Sequence, residues 1–185
     1  MTSFWIGERV RLRGIEPDDW TAFMRFAPEE ERLGNLLRPP RSAEHYRSWA
    51  TEQAAARSDG DCFQLAIEDA ETGETVGAVG SYEADARAGW FQYGVTVGAD
   101  HRRKGYAAEA AVLLLRFMFA ERRFHKCVAR VFAHNESSLA FHRRLGFIEE
   151  GRLRDQIFVA GRHDDLVMMG MLAAEFARLH PTSEL

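Results

Sequence analysis

The stretch GVTVGADHRRKGYAAEAAVLLLRFMF, residues 94–119, decides how the chain folds. It opens with the β-branched run Val95-Thr96-Val97, passes through His101, Arg102, Arg103 and Lys104, and closes as a long run with the apolar spacing of a helix. A strand, a tight loop and a helix in that order predict the first part of a strand–helix–strand unit, whose two strands lie parallel. The four basic residues stand at the head of the helix, where the macrodipole already presents positive potential. Cations there cost stability unless an anion arrives.

The loop is suited to one. The first N–H groups of a helix have no intrahelical acceptor and form an anion site together with the dipole. Gly105 permits close approach and unusual dihedrals, Ala107 and Ala108 keep the first turn free of bulk, and the cations supply charge-assisted contacts. A solvated basic cap with no ligand is the competing reading. Neither G-x-x-x-x-G-K-[ST] nor G-x-G-x-x-G occurs, which excludes the two common nucleotide-phosphate fingerprints.

Outward from this stretch, the chain alternates strand and helix signals. RVRLRGI (9–15) has the period of a half-buried strand, and Pro17, Asp18 and Asp19 open a helix to about Phe26. Pro39 and Pro40 stop helix, and Ser42 restarts one to about Arg57. Residues 62–69, 75–83 and 89–97 read as three strands, the last antiparallel to the one before it. After the helix from Gly105 to about Arg122 come a strand in KCVARVFAH (126–134) and a shorter helix in NESSLAFHRRLGF, ended by Gly146 as a C-cap. Two strands around a turn at Ala160 to Asp165 close the chain. The pattern predicts one mixed α+β domain over residues 1–185.

Composition narrows the function classes. The 185 residues carry a formal charge of −4, against the basic face expected of a nucleic-acid binder. Cys62 and Cys127 have no framework spacing and predict free thiols in a reducing compartment. The opening MTSFWIGERV lacks the pattern of a signal peptide, and the apolar run 110–115 is cut by Arg116, too short to span a bilayer. The expectation is a cytoplasmic protein without membrane or nucleic-acid partners.

VTVGADHRRKGYAAEA resembles the acyl-coenzyme-A signature of the GNAT N-acetyltransferase superfamily, R/Q-x-x-G-x-G/A, filled by Arg102, Gly105 and Ala107. HNESSLAFHRRLGF resembles the second motif of that family, with Asn135 and the Leu145-Gly146-Phe147 ending in place. RVRLRGIEPDDW and GRHDDLVMMGML are similar to the RimJ/RimL-like branch, which acetylates amino groups of proteins and small molecules. The resemblance implies a GNAT-like acyl-CoA N-acyltransferase fold, with about seven strands in a mixed sheet flanked by about four helices. It implies acetyl-CoA as acetyl donor, no metal, an amine-bearing small molecule or protein N-terminus as acceptor, and a homodimer by analogy. The amides of Arg103, Lys104, Gly105, Tyr106 and Ala107 would then hold the pyrophosphate, with Val95, Thr96 and Val97 pairing with the amide-bearing pantetheine arm. Asn135 would cap its helix or contact that arm.

Acetyl transfer to an amine needs a neutral nucleophile, a polarised thioester carbonyl and a proton for the departing thiolate. Ser138 and His142 are four apart and share a helix face. The resemblance makes Ser138 the thiolate partner in the RimJ/RimL-like branch, and puts His142 where many other members carry Tyr; either residue fits the role. Ile157 stands where some ribosomal-protein-acetylating relatives carry an acid, which points away from that acceptor. Glu83 and Asp85 are candidates to draw a proton through water. RHDD (162–165) reads as a turn before a metal cluster, and Phe4, Trp5, Trp20, Phe23 and Phe26 as acceptor-pocket or core aromatics. A non-catalytic acyl-CoA-binding sensor of the same fold is the alternative function.

Overall fold

The structure, a computed structural model, describes residues 3–32, 39–56 and 60–181. Seven strands, β1 (Val10–Arg13), β2 (Phe63–Asp69), β3 (Thr75–Asp85), β4 (Trp90–Val97), β5 (Lys126–Phe132), β6 (Ile148–Val159) and β7 (Arg162–Leu172), form one sheet in the order β1-β2-β3-β4-β5-β7-β6. Every neighbouring pair is antiparallel except β4–β5, the parallel pair that the strand–helix–strand reading requires. The helices are α1 (Trp20–Arg32), α2 (Ala43–Ala55), α3 (Tyr106–Ala120), α4 (Glu136–Leu145) and α5 (Ala173–Leu179). The expected end of the second helix at Arg57 lies outside the described residues.

Strand alternation feeds two cores. On β2 and β3, Ile67 and Val79 face one side, where they join Phe91, Leu114, Leu115, Met118, Leu139 and Phe176 beneath α3, α4 and α5. Ala66 and Ala78 face the other side and meet Ile15, Phe23, Phe26 and Ala50 from the α1–α2 layer. Phe23 and Phe26 are therefore core residues, and Phe4 and Trp5 pack on Phe117 of α3; core packing, rather than an acceptor pocket, accounts for these four aromatics.

A charged network pins the start of the chain to the sheet. Arg13 donates two hydrogen bonds to Asp19 (2.8 and 2.9 Å) and one from Nε to Glu68 (2.5 Å), and Thr75 donates to Asp19 at 2.6 Å. Burial pushes the Asp19 carboxyl up, but the bonds from Arg13, Thr75 and the Glu16 N–H outweigh it and hold it below the ordinary carboxylate value.

Two differences from the sequence reading concern the C-terminal part. Among the described residues there are five α-helices where about four are expected, because Ala173–Leu179 turns into α5 directly after β7 and buries Phe176. The last hairpin turns at Ala160 (φ 49°) and Gly161 (φ 80°), with Val159 paired to Arg162, so Arg162–Asp165 belongs to β7. A two-residue turn with left-handed dihedrals matches the twist of the flanking strands and needs no longer loop. Gly146 ends α4 in the left-handed region (φ 102°), as its C-cap reading requires.

Candidate active site

The parallel pairing of β4 with β5 covers Trp90–Lys126, Phe91–Cys127 and Gln92–Val128, and beyond it the strands part. Hydrogen-bond alternation shows what lines the opening. Gly98 donates to Val76 O at 2.9 Å, and the two-residue period of the antiparallel ladder then turns the backbones of Gly94 and Thr96 toward β3. Tyr93, Val95 and Val97 present theirs to the opening. On β5, Ala133 N–H bonds Asp165 O (3.0 Å) and Ala173 N–H bonds His125 O (2.9 Å), so the backbones of Arg130 and Phe132 face back toward β4. Tyr82 is the extra residue of a bulge in β3, and its ring covers Gly94, where a Cβ would come within 2.8 Å.

The result is a wedge-shaped cleft of about 480 Å³. Among the residues singled out from sequence, Val95, Thr96, Val97, Arg102, Ala107, Asn135, Ser138 and His142 line it. Thr96 does so with its backbone already committed to β3. Val95 and Val97 carry the strand edge, and the Val97 carbonyl already accepts from Arg102 Nε at 3.3 Å.

At one end of the cleft α3 begins. Arg103 (φ 62°) and Gly105 (φ 89°) are both left-handed, and Gly105 precedes the helix without a side-chain cap. Arg103, Lys104 and Gly105 are exposed, whereas His101 lies 3.6 Å from Glu74. The Tyr106 hydroxyl donates to Asp69, and that bond, with the Glu71 and Thr72 N–H groups, holds the Asp69 carboxyl below its usual range. The Tyr106 side chain thus ties the loop to the β2–β3 hairpin. Glu109, in the first turn of α3, accepts N–H bonds from Glu8 (2.8 Å), Arg9 (2.8 Å) and Val10 (2.9 Å). Sequence reasoning missed this anchor; an acid in a first helical turn is a signal only of favourable dipole placement.

At the other end α4 begins. Asn135 Oδ1 accepts from Ser138 N–H (3.1 Å) and the Ser137 hydroxyl (2.9 Å). One turn later His142, 7% exposed, sits among Tyr93, Phe141 and Phe147 with ring centroids 5.7, 5.2 and 5.2 Å away. Its Nδ1 lies 2.8 Å from the Ser138 carbonyl and 3.4 Å from Ser138 Oγ. A carbonyl only accepts, so Nδ1 carries the hydrogen and the neutral ring keeps its lone pair on Nε2. Burial pushes the His142 pKa below 6.5, against the opposing effect of the Ser138 carbonyl bond.

The remaining candidates have structural partners. Arg130 pairs with Glu83 (3.2 Å) across β4, Asp85 accepts the N–H groups of Arg87 and Ala88 in the β3–β4 turn (both 2.9 Å), and Asp164 holds His134 Nδ1 at 2.5 Å. Asp165 accepts the Asp155 N–H at 3.0 Å. Among the described residues no group of three or more His, Cys, Asp or Glu side chains is placed to hold a metal ion.

Known proteins resemble this chain in sequence and in fold. Residues 9–148 match the acetyltransferase (GNAT) domain family. The chain is 34% identical over 178 residues to the SPbeta prophage-derived uncharacterized N-acetyltransferase YokL of Bacillus subtilis, covering 96% of this chain and 98% of YokL. It is 26% identical to the putative ribosomal N-acetyltransferase YdaF of the same organism, over 92% of this chain and 95% of YdaF. In fold it matches the spermidine N-acetyltransferase from Vibrio cholerae in complex with CoA and spermine, with a TM-score of 0.78 at 20% identity over 92% of this chain and 99% of that one. The family match spans the sheet from β1 to the end of α4 and contains both ends of the cleft, so the chain belongs to the GNAT acetyltransferase family and is an N-acetyltransferase.

Proposed function

We propose that this protein transfers the acetyl group of acetyl-CoA directly to a primary amine of a small molecule or a protein N-terminus, as a single-domain member of the RimJ/RimL-like branch. One observation carries the reading: the cleft between parted parallel strands runs from the uncapped N-terminus of α3 to the Ser138–His142 face of α4. In it, the amides from Arg103 to Ala107, with Arg102 and Lys104, suit a pyrophosphate. The backbone groups of Val95 and Val97 suit an amide-bearing arm, and Ser138 and His142 suit the reacting end. Acetyl-CoA supplies an activated acyl group when bound; the chain's own residues orient it and manage the proton.

The branch assignment rests on the opening and closing motifs and on the likeness to YdaF. Ile157, on exposed β6 opposite Asp164, leaves that position without an acid and favours an acceptor other than a ribosomal protein. We place the protein in the cytoplasm and expect a homodimer from the same family likeness; among the described residues no helix is long and apolar enough to cross a membrane.

The test is purified protein with acetyl-CoA and a panel of amines, including spermidine and peptides with free N-termini, read by release of free thiol. Turnover with one acceptor supports the reading. Binding of acetyl-CoA by calorimetry without thiol release for any amine would instead favour an acyl-CoA sensor.

A further inference from the structure

His142 stands on the helix face that the proposed acetyl transfer uses, yet its hydrogen bonding is the reverse of a proton donor's. Nδ1 is committed as donor to the Ser138 carbonyl at 2.8 Å, and Asn135 fixes that carbonyl's turn of helix by capping it. The neutral ring therefore has no second hydrogen to give. Nε2 bears a lone pair, has no hydrogen-bond partner among the described residues, and belongs to a side chain that lines the cleft. Three aromatic rings hold the imidazole in place, so a flip that would exchange its nitrogens is opposed by packing on three sides.

We infer that His142 is the proton carrier of the reaction: Nε2 takes the proton released by the attacking amine and returns it to the departing sulfur. The inference rests on the acetyl-transfer reading above. The chemistry closes without another reactant. The amine nitrogen forms a bond to the acetyl carbon, the carbon–sulfur bond breaks with its electron pair on sulfur, and the proton lost by nitrogen ends on that sulfur as a free thiol. The ring ends neutral, as it began. In the tetrahedral intermediate the attacking nitrogen and the leaving sulfur are bound to one carbon, so a single imidazole nitrogen can serve both in turn. Ser138 has a separate task. Its hydroxyl cannot donate to Nδ1, which already carries hydrogen, so the hydroxyl hydrogen is left to support the thiolate.

The surroundings keep the ring neutral until it is used. From β4 it faces Tyr93, and Cys127 of β5 packs near that tyrosine; burial pushes both of these groups well above their ordinary values, so both stay uncharged. Arg102 and Arg130 line the same cleft, the latter paired with Glu83. Burial and the Ser138 bond are the influences on the His142 ring itself, and burial prevails in favour of the neutral form.

Two measurements decide the matter. In the first, ¹⁵N-labelled wild-type protein is observed by NMR at the imidazole nitrogens, with no acceptor needed. The expected result is an Nδ1–H tautomer at neutral pH, with a bare Nε2 and titration below 6.5. An Nε2–H tautomer or a charged ring at neutral pH overturns the inference while leaving the acetyltransferase reading intact. In the second, wild type and His142→Gln are compared with acetyl-CoA and whichever amine of the panel turns over. The variant is expected to lose about 10²- to 10⁴-fold in kcat, with acetyl-CoA affinity by calorimetry nearly unchanged. The ratio of wild-type to variant rate cancels titration of the amine itself. It is expected to rise with pH through the His142 transition and then level, because the working form is neutral. A ratio that falls with pH would make His142 a proton donor and overturn the inference, and so would retained activity in the variant. If the wild type acetylates no amine at all, the acetyltransferase reading fails and this one with it.

Discussion

Two helices bring their N-terminal ends to the same cleft, and they are finished in opposite ways. At α4, Asn135 supplies the side-chain oxygen that the first amides need. At α3, left-handed Gly105 precedes the helix with no side-chain cap, the residues before it (Arg102, Arg103 and Lys104) are basic, and the first-turn acid Glu109 is spent on the N–H groups of Glu8, Arg9 and Val10. An N-terminus completed by its own sequence is a structural element, whereas one left open beside cations is unfavourable until an anion binds. The difference separates ligand binding from stability: under the proposed function, changes at the head of α3 are expected to act on affinity, and loss of the cap at the head of α4 on folding.

The largest expected effect comes from removing the cations of α3. Arg102→Ala with Lys104→Ala takes away two charges and no backbone amide. A hydrogen bond to a charged group contributes about 1.5–3 kcal/mol, so acetyl-CoA affinity is expected to fall on the order of a hundredfold by calorimetry. Dephosphorylated pantetheine is expected to bind as before. An equal loss for both ligands would break the contrast, since the cations would then shape the loop rather than meet phosphate.

Gly105→Val sharpens the same point through the backbone. A Cβ at Gly105 would lie 3.5 Å from Arg9 Cδ, an ordinary contact, so space is available. The conformation is the obstacle: φ is 89°, and a β-branched residue held there carries about 1–3 kcal/mol of strain. The loop is expected to relax, swing its amides away and weaken acetyl-CoA binding roughly tenfold, with an unchanged circular dichroism spectrum. Full affinity in the folded variant would remove these amides from the anion site.

Asn135→Ala is the matching change at α4. Loss of an N-cap of this kind costs about 1 kcal/mol of stability, to be read by denaturant unfolding, while acetyl-CoA affinity stays within about twofold. A larger drop in affinity than in the cation variant would reverse the roles of the two helix ends.

The contrast between these ends was half visible in the sequence. The basic loop, Gly105, Asn135 and the terminating Gly146 are local signals, each tied to a dihedral or a cap, and the structure places them at helix ends. The period-two runs and turns located the strands for the same reason. Other features depend on contacts between distant segments. The end of β4–β5 pairing at Gln92–Val128 and the bulge at Tyr82 of β3 are matters of strand registry, and neither has a signature in GWFQYGVTV. Glu109 reads as a favourable first-turn acid, and only the folded chain brings Glu8, Arg9 and Val10 to it. Tyr106, from its place in the motif, reads as part of the cofactor loop, but its hydroxyl is taken by Asp69, 37 residues earlier. For His142 the sequence offered only the role of thiolate partner, shared with Ser138; the i, i+4 geometry with the Ser138 carbonyl is what distinguishes its nitrogens.

The smallest expected effect lies where α4 packs on the sheet, at Tyr93. Its ring stacks on Phe147 at 5.6 Å and 22° and meets His142 edge-on, yet its hydroxyl is buried without a partner among the described residues. Tyr93→Phe keeps the ring and deletes only that oxygen. A buried hydroxyl that makes no hydrogen bond is a net cost, so its removal is expected to leave stability unchanged or raise it by up to about 1 kcal/mol. Acetyl-CoA affinity is expected to hold, because the change touches neither helix end. Thermal unfolding and calorimetry on the same sample check both parts. A loss of stability would mean that the hydroxyl has a partner in solution, such as a water at the base of the cleft. In that case the α4 end would be tied to the cleft by more than its cap, and the division between a binding end and a folding end would have to be redrawn.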